Sequence, residues 1–328
     1  MRRPALSALL ALLLSVPGCG GDDPEPSRAD DATPDTSVGA SDHREDPPVD
    51  GPAADGPADS VRVILVTGST GGLGREVARR LAAGGAHVIV HGRSVERGTG
   101  LVREIASSGV GSARFFRADF GDLDRVRALA DSVRAHYDRL NVLVNNAGIL
   151  LSPDERPVSS DGYELHFQVN YLAGFLLTHE LLPLLRKSAP ARIVNVSSRS
   201  ADPIDFDDPM LEEGYSAGRA YGQSKLAQIM FTFELAERLE GTGVTVNALH
   251  PASLMDTDLV KDMGMEPRST VAEGARAVLH LIDGEDVGTG RYYRRMEPAR
   301  APHPQAYDEA ARARLDSLSR VLAGITPR

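Results

Sequence analysis

The sequence predicts one doubly wound α/β domain of the Rossmann type, a parallel sheet with helices on both faces, over residues 61–328. Three observations carry that expectation. From Ser60 onward, short apolar runs rich in β-formers alternate with amphipathic helical stretches, which right-handed crossovers convert into a covered parallel sheet. The first run, Val61–Val66, leads directly into the glycine-rich turn Thr67-Gly68-Ser69-Thr70-Gly71-Gly72-Leu73-Gly74, the place where such sheets bind a pyrophosphate. Beyond Ser60 there is no further linker, no repeat and no apolar stretch long enough to span a bilayer.

In chain order, the glycine-rich turn opens a helix that runs through Arg80-Leu81, and His87–Val90 is the second strand. Ala113–Phe116, Asn141–Val144, Arg192–Val196 and Val244–Ala248 are further strands. Asp122–Tyr137, Leu165–Leu185 and Tyr221–Leu239 read as the helices between them. Ala306–Leu322 reads as a closing amphipathic helix that covers the site or packs a subunit. Met255 and the Met263–Met265 stretch suit a mobile apolar lid over a substrate.

The chain has 328 residues, 41% hydrophobic and 25% charged, a balance that excludes wholesale disorder, collagen and a coiled-coil rod. A net charge of −10 offers no basic field for a nucleic-acid backbone. That charge is unevenly placed. Residues 22–60 hold twelve acidic side chains against two arginines, which leaves the region from 61 onward near −2. Residues 20–60 are therefore read as a disordered, acidic, Pro/Ala/Gly-rich tether. Residues 1–19 pair Arg2-Arg3 with an apolar core, Ala5–Val16, too short to cross a membrane. They end in Val16-Pro17-Gly18-Cys19, which resembles the lipobox of bacterial lipoproteins. That resemblance implies lipidation at Cys19, the only cysteine of the chain, and a lipid-anchored protein of the cell envelope. The alternative is a start read too early, with a cytoplasmic protein beginning near Ser60. A single cysteine excludes a disulfide framework and a Cys-clustered zinc site, and no metal is expected.

Glycines at the first turn let backbone approach a pyrophosphate at a helix N-terminus. Gly68, Ser69, Thr70, Gly72, Leu73 and Gly74 are thus cofactor-binding candidates. After the second strand, where a dinucleotide site that selects NAD places an acid, the chain has Arg93. A guanidinium suits a 2′-phosphate, so NADP(H) is favoured, with NAD(H) still possible. Arg75 assists there or is an exposed helix residue. Tyr221-Gly222-Gln223-Ser224-Lys225 places a phenol and an ammonium on one helix face. It follows Ser197-Ser198 at a strand end, and the three groups together suit proton transfer to a carbonyl oxygen.

These segments resemble the short-chain dehydrogenase/reductase family over Val61 to Gly324, closest to its retinol-dehydrogenase-like branch. The resemblance rests on T-G-x-x-x-G-x-G, Asn145-Asn146-Ala147-Gly148, Arg192–Ser198, Y-x-x-x-K and Gly243–Pro251. It implies an oxidoreductase that interconverts an alcohol and a carbonyl on a small hydrophobic substrate. Tyr221 would be the acid/base, and Lys225 the residue that holds the nicotinamide ribose and lowers the phenol pKa. Ser198, rather than Ser197, would orient the substrate oxygen, and Asn170 would hold a helix irregularity and a water. Asp119 and Phe120 would lie at the adenine, and Asn146, Ala147 and Gly148 at the adenosine ribose. Pro251 would lie near the nicotinamide amide, and Thr257 at the nicotinamide or phosphate. Ala252 stands where the family has glycine, and Ala201–Ala220 is an insertion whose six carboxylates are read as solvated. His91, His166, His179 and His250 are read as structural. The alternatives are a non-catalytic dinucleotide sensor on the same fold and a serine hydrolase, which the lack of a G-x-S-x-G elbow disfavours. Oligomeric state stays open.

Overall fold

The computed structural model describes residues 49–50, 60–151 and 155–326. Its centre is a nine-stranded sheet in the order β1-β4-β3-β2-β5-β6-β7-β8-β9. The strands are β1 (Val49–Asp50), β2 (Val63–Val66), β3 (His87–Gly92), β4 (Ser112–Arg117), β5 (Val142–Asn145), β6 (Ala191–Val196), β7 (Val244–His250), β8 (Arg291–Arg294) and β9 (Glu297–Ala299). The seven from β4 to β8 run parallel, and β1 and β9 close the two edges antiparallel. The expected doubly wound α/β fold is observed.

Alternation along the strands sorts the core into two layers, because successive side chains point to opposite faces. Val63 and Leu65 join one cluster with Leu129, Leu177 and Ile229. Those side chains come from α3 (Leu123–His136), α4 (Ala173–Lys187) and α5 (Ala217–Arg238). Ile64 and Val66 join the other with Val77, Leu101 and Val278, from α1 (Gly72–Ala83), α2 (Val95–Ser108) and α7 (Val271–Asp283). A four-residue helix, α6 (Asp258–Lys261), precedes α7. Strand β2 has β3 on one side and β5 on the other, so the order reverses there and a crevice opens at the carboxyl ends of the strands.

Four details depart from the sequence reading. Val49–Asp50, inside the stretch expected to be a disordered tether, pairs antiparallel with Phe115 and Arg114 of β4. Residues 20–48 and 51–59 of that tether, and residues 1–19 with Cys19, lie outside the described residues. Strands β8 and β9 are short, β8 with an arginine at each end and β9 with a glutamate and a proline, so no apolar run announces them. The closing helix is divided: a 3₁₀ turn, Pro304–Tyr307, is followed by α8 (Glu309–Leu322), whose cap is Asp308 accepting from Ala311 N–H at 3.0 Å. Helix α8 packs on α5, with Leu315 in the core and Tyr171 hydrogen-bonded to Ser319. Met255 packs against α7 at Gly274 and pairs with Ser269, so it belongs to the α7 layer and not to a lid.

Candidate active site

The glycine-rich turn is tied down by the motif that ends β5. Asn146 Nδ2 donates to the carbonyls of Thr67 (2.8 Å) and Gly68 (3.3 Å), while Thr67 Oγ1 accepts from the amides of Asn146 and Ala147, both at 2.9 Å. The fit is tight enough to require glycine. A Cβ on Gly74 would collide with the Gly68 carbonyl and sit 2.5 Å from Asn146 Nδ2. Gly68 has φ +63° and would place a Cβ 2.8 Å from Ala147 Cα. Helix α1 starts here with Gly71 as its cap, so the first-turn amides of Gly72, Leu73 and Gly74 are available to an anion.

The predicted cofactor residues divide by what their side chains can offer. Ser69 is buried, its hydroxyl accepting from His91 N–H at 3.0 Å. Leu73 and Phe120 are also buried, so these three present backbone alone. Thr70 packs on Gly92, where a Cβ would lie 2.5 Å from Thr70 Cγ2. Thr257 packs on Gly72, 3.2 Å from where its Cβ would be, which brings the loop after β7 and Pro251 against the glycine turn. At the ends of β3 and β4, Arg93 and Asp119 come together, Nη1 to Oδ2 3.9 Å, with the Arg93 side chain 71% exposed. Arg75 instead pairs with Glu104 on the helix surface.

The chemical groups converge one strand over. Helix α5 is buried over most of its length, so its polar residues are held by packing. Lys225 is buried and donates from Nζ to the Val196 carbonyl (3.1 Å) and to Gln228 Oε1 (3.0 Å). Its Nζ lies 5.7 Å from the Tyr221 ring centroid. The Tyr221 phenol lies by Ser198, which pulls its pKa down against the larger upward push of burial. Burial also moves the Lys225 ammonium down to about 7. Desolvation leads for both groups, and Ser198 supplies the opposing effect on the phenol.

Ser198 Oγ accepts from Ser200 N–H at 3.1 Å, whereas Ser197 Oγ donates to the Lys225 carbonyl at 2.7 Å. Ser197 is thus committed to the α5 backbone, which leaves Ser198 beside the phenol. Asn170 sits in a π-helical turn, Phe167–Leu172, a common irregularity at functional sites. Its Oδ1 accepts from Ile149 N–H (2.7 Å), and Nδ2 donates to Ile149 O (3.1 Å) and Ser224 Oγ (3.0 Å). Gly148 lies between the two: a Cβ there would be 3.2 Å from Asn170 Oδ1 and 3.5 Å from Lys225 Nζ. A glycine-lined cradle runs from the α1 amides to the Lys225 ammonium, and these residues fit a dinucleotide.

Several supporting groups escaped the sequence reading. Gln228 carried a signal, being three residues past Lys225 on the same helix face. Tyr292, which donates to the Ser198 carbonyl, carried none, because β8 itself was missed. Buried Glu164 accepts from His166 Nδ1 (2.8 Å) and from the amides of His166 (3.0 Å) and Phe167 (2.7 Å). His166 Nε2 in turn accepts from Leu151 N–H at 3.0 Å, which secures the loop after Gly148. His179 and His250 make local hydrogen bonds to Phe175 O and Ser253 Oγ. The acidic insertion is more than solvated charge: Asp205 and Asp208 accept from the amides of Asp207, Asp208, Glu212 and Glu213, and Asp205 pairs with Arg219 at 2.9 Å.

Residues 62–267 match the family described as short chain dehydrogenase. The chain is 38% identical over 278 residues to retinol dehydrogenase 12 of Homo sapiens, covering 80% of this chain and 87% of that protein. A solved protein of Mycobacterium paratuberculosis superposes with a TM-score of 0.68 at 32% identity, covering 82% of this chain and 96% of the other. A short chain dehydrogenase of Escherichia coli CFT073, complexed with NADPH, superposes with a TM-score of 0.59 at 29% identity, covering 72% and 97%.

Proposed function

The chain belongs to the short chain dehydrogenase family, NAD(P)-dependent oxidoreductases of CH–OH groups, and on that premise we propose that it interconverts an alcohol and a carbonyl on a hydrophobic substrate with NADP(H). One observation carries the chemistry: Tyr221, with Ser198 beside its hydroxyl, has its ring 5.7 Å from the ammonium of a buried Lys225 at the end of the glycine-lined cradle. Support for NADP(H) comes from Arg93, exposed at the end of β3 where a 2′-phosphate would lie, and from the NADPH complex of the Escherichia coli relative. The name of the retinol dehydrogenase relative supports an apolar alcohol.

The chemistry that a bound nicotinamide supplies is hydride transfer. The rest falls to the chain. Arg93 and the α1 amides bind phosphate, and Lys225 holds ribose hydroxyls from a position set by Val196 and Gln228. Ser198 positions the substrate oxygen. In reduction Tyr221 gives its hydroxyl proton to that oxygen; in oxidation it takes the proton back. Tyr221→Phe keeps the ring and removes the proton, so NADPH binding should persist while turnover with a ketone and aldehyde panel is lost. Turnover retained by the variant removes Tyr221 from this role. Tight NADPH binding with no turnover by the unmodified protein favours the sensor instead.

We propose lipid anchoring on the sequence Val16-Pro17-Gly18-Cys19 alone. A single acyl chain holds a protein weakly and two or more hold it firmly. Palmitate labelling of the full chain should vanish in Cys19→Ala, and equal labelling of both forms overturns the anchor.

A further inference from the structure

His91 ends the apolar part of β3 with its ring buried, away from the proton chemistry. The backbone N–H of Gly68 donates to His91 Nδ1 at 3.1 Å. Nδ1 therefore has no proton, and Nε2, which has one, donates to the Ala118 carbonyl at 3.2 Å. The ring stacks on Phe120, centroids 4.4 Å apart and planes 24° from parallel. The His91 main chain also grips the turn, its carbonyl accepting from Ser69 N–H at 2.8 Å and its amide donating to Ser69 Oγ at 3.0 Å. The three anchors bear on Gly68 and Ser69, adjacent residues of the turn. Gly68 takes the left-handed conformation, which aims its amide at the ring, and a buried amide needs an acceptor.

We infer that His91 is a positioning residue for the cofactor: its Nδ1 holds the Gly68 peptide, and with it the glycine-rich turn, in the shape that receives a dinucleotide pyrophosphate. The inference rests on the dinucleotide reading of this cradle. It separates His91 from an ordinary buried histidine, because only an acceptor at the Nδ1 position does this work. Asparagine at position 91 places its Oδ1 close to that position, whereas leucine fills similar space with no acceptor.

The test is NADPH titration of the full-chain protein, followed by cofactor fluorescence, with no substrate present. His91→Leu should weaken NADPH by about tenfold or more, and His91→Asn should stay within about threefold of the unmodified protein. At saturating NADPH, kcat of both variants should remain within about twofold, so that the loss is one of binding. Equal affinity in all three proteins, or equal weakening of both variants, overturns the role of His91. Failure of the unmodified protein to bind NADPH at all overturns the cofactor reading itself. If His91→Leu does not fold, imidazole nitrogen NMR of the unmodified protein decides. An unprotonated Nδ1 whose resonance shifts on adding NADP is expected, and a protonated Nδ1 overturns the inference.

Discussion

The phenol of Tyr292 donates to the backbone carbonyl of Ser198 at 3.0 Å, inside the protein. Tyr292 stands on β8 and Ser198 follows β6, so the bond passes over the intervening strand β7. It adds a second fixed point to a serine whose hydroxyl already accepts from Ser200 N–H. The Ser198 segment is thereby held from its own loop and from β8.

Tyr292→Phe should therefore loosen Ser198 without touching the cofactor cradle. Leaving a buried carbonyl without its donor costs about 1–3 kcal/mol of stability. We expect kcat to fall by about three- to tenfold while NADPH affinity is unchanged, measured by steady-state kinetics beside direct titration. A fall in affinity with kcat preserved would assign Tyr292 to the cofactor instead.

Arg93→Asp should reverse cofactor preference. The Arg93–Asp119 pair is long and solvent-exposed, so its loss costs little stability. The variant sets two carboxylates where a 2′-phosphate would sit. NADPH affinity is expected to drop by about tenfold or more, and NADH affinity to change far less. Titration with both cofactors checks this, and an unaltered preference places phosphate recognition elsewhere.

Acid should unfold the protein through its histidines. Burial, the leading cause in each case, holds His87, His91 and His250 down to about 4. Below the ordinary histidine value near 6.5 the unfolded chain takes up protons that the native protein refuses, so stability falls as pH drops from about 6.5 to about 4. Each group contributes on the order of a few kcal/mol to that loss, a large share of a domain's total stability. Thermal unfolding followed from pH 8 to pH 4 should show a flat region above about 6.5 and a steep decline below it. A flat profile down to pH 4 would mean that these histidines are not buried neutral.

The comparison with the bare sequence is instructive residue by residue. The strands from β2 to β7 were legible because a strand covered on both faces is a short unbroken apolar run, and the glycine-rich turn because its spacing is dictated by close backbone approach. Tyr221 and Lys225 were legible because one helical turn sets them on one face. Strands β8 and β9 were not, since four residues flanked by arginines and three that include a proline give no apolar run to read. The division at Asp308 was hidden because the apolar pattern continues through the cap. The direction of the Tyr221 pKa was also hidden, because burial is a property of the packed helix and not of the motif.

By itself the sequence determined the fold class, the glycine-rich turn after β2 and the shared helix face of Tyr221 and Lys225. Each depends on short-range periodicity, a tight turn or a one-turn spacing, which local chemistry specifies. Only the tertiary structure decided that Ser197 bonds the Lys225 carbonyl, that His91 receives the Gly68 amide, and that Tyr292 secures Ser198 from 94 residues away. Those contacts join distant strands, and their existence depends on sheet order and side-chain packing that no local pattern encodes.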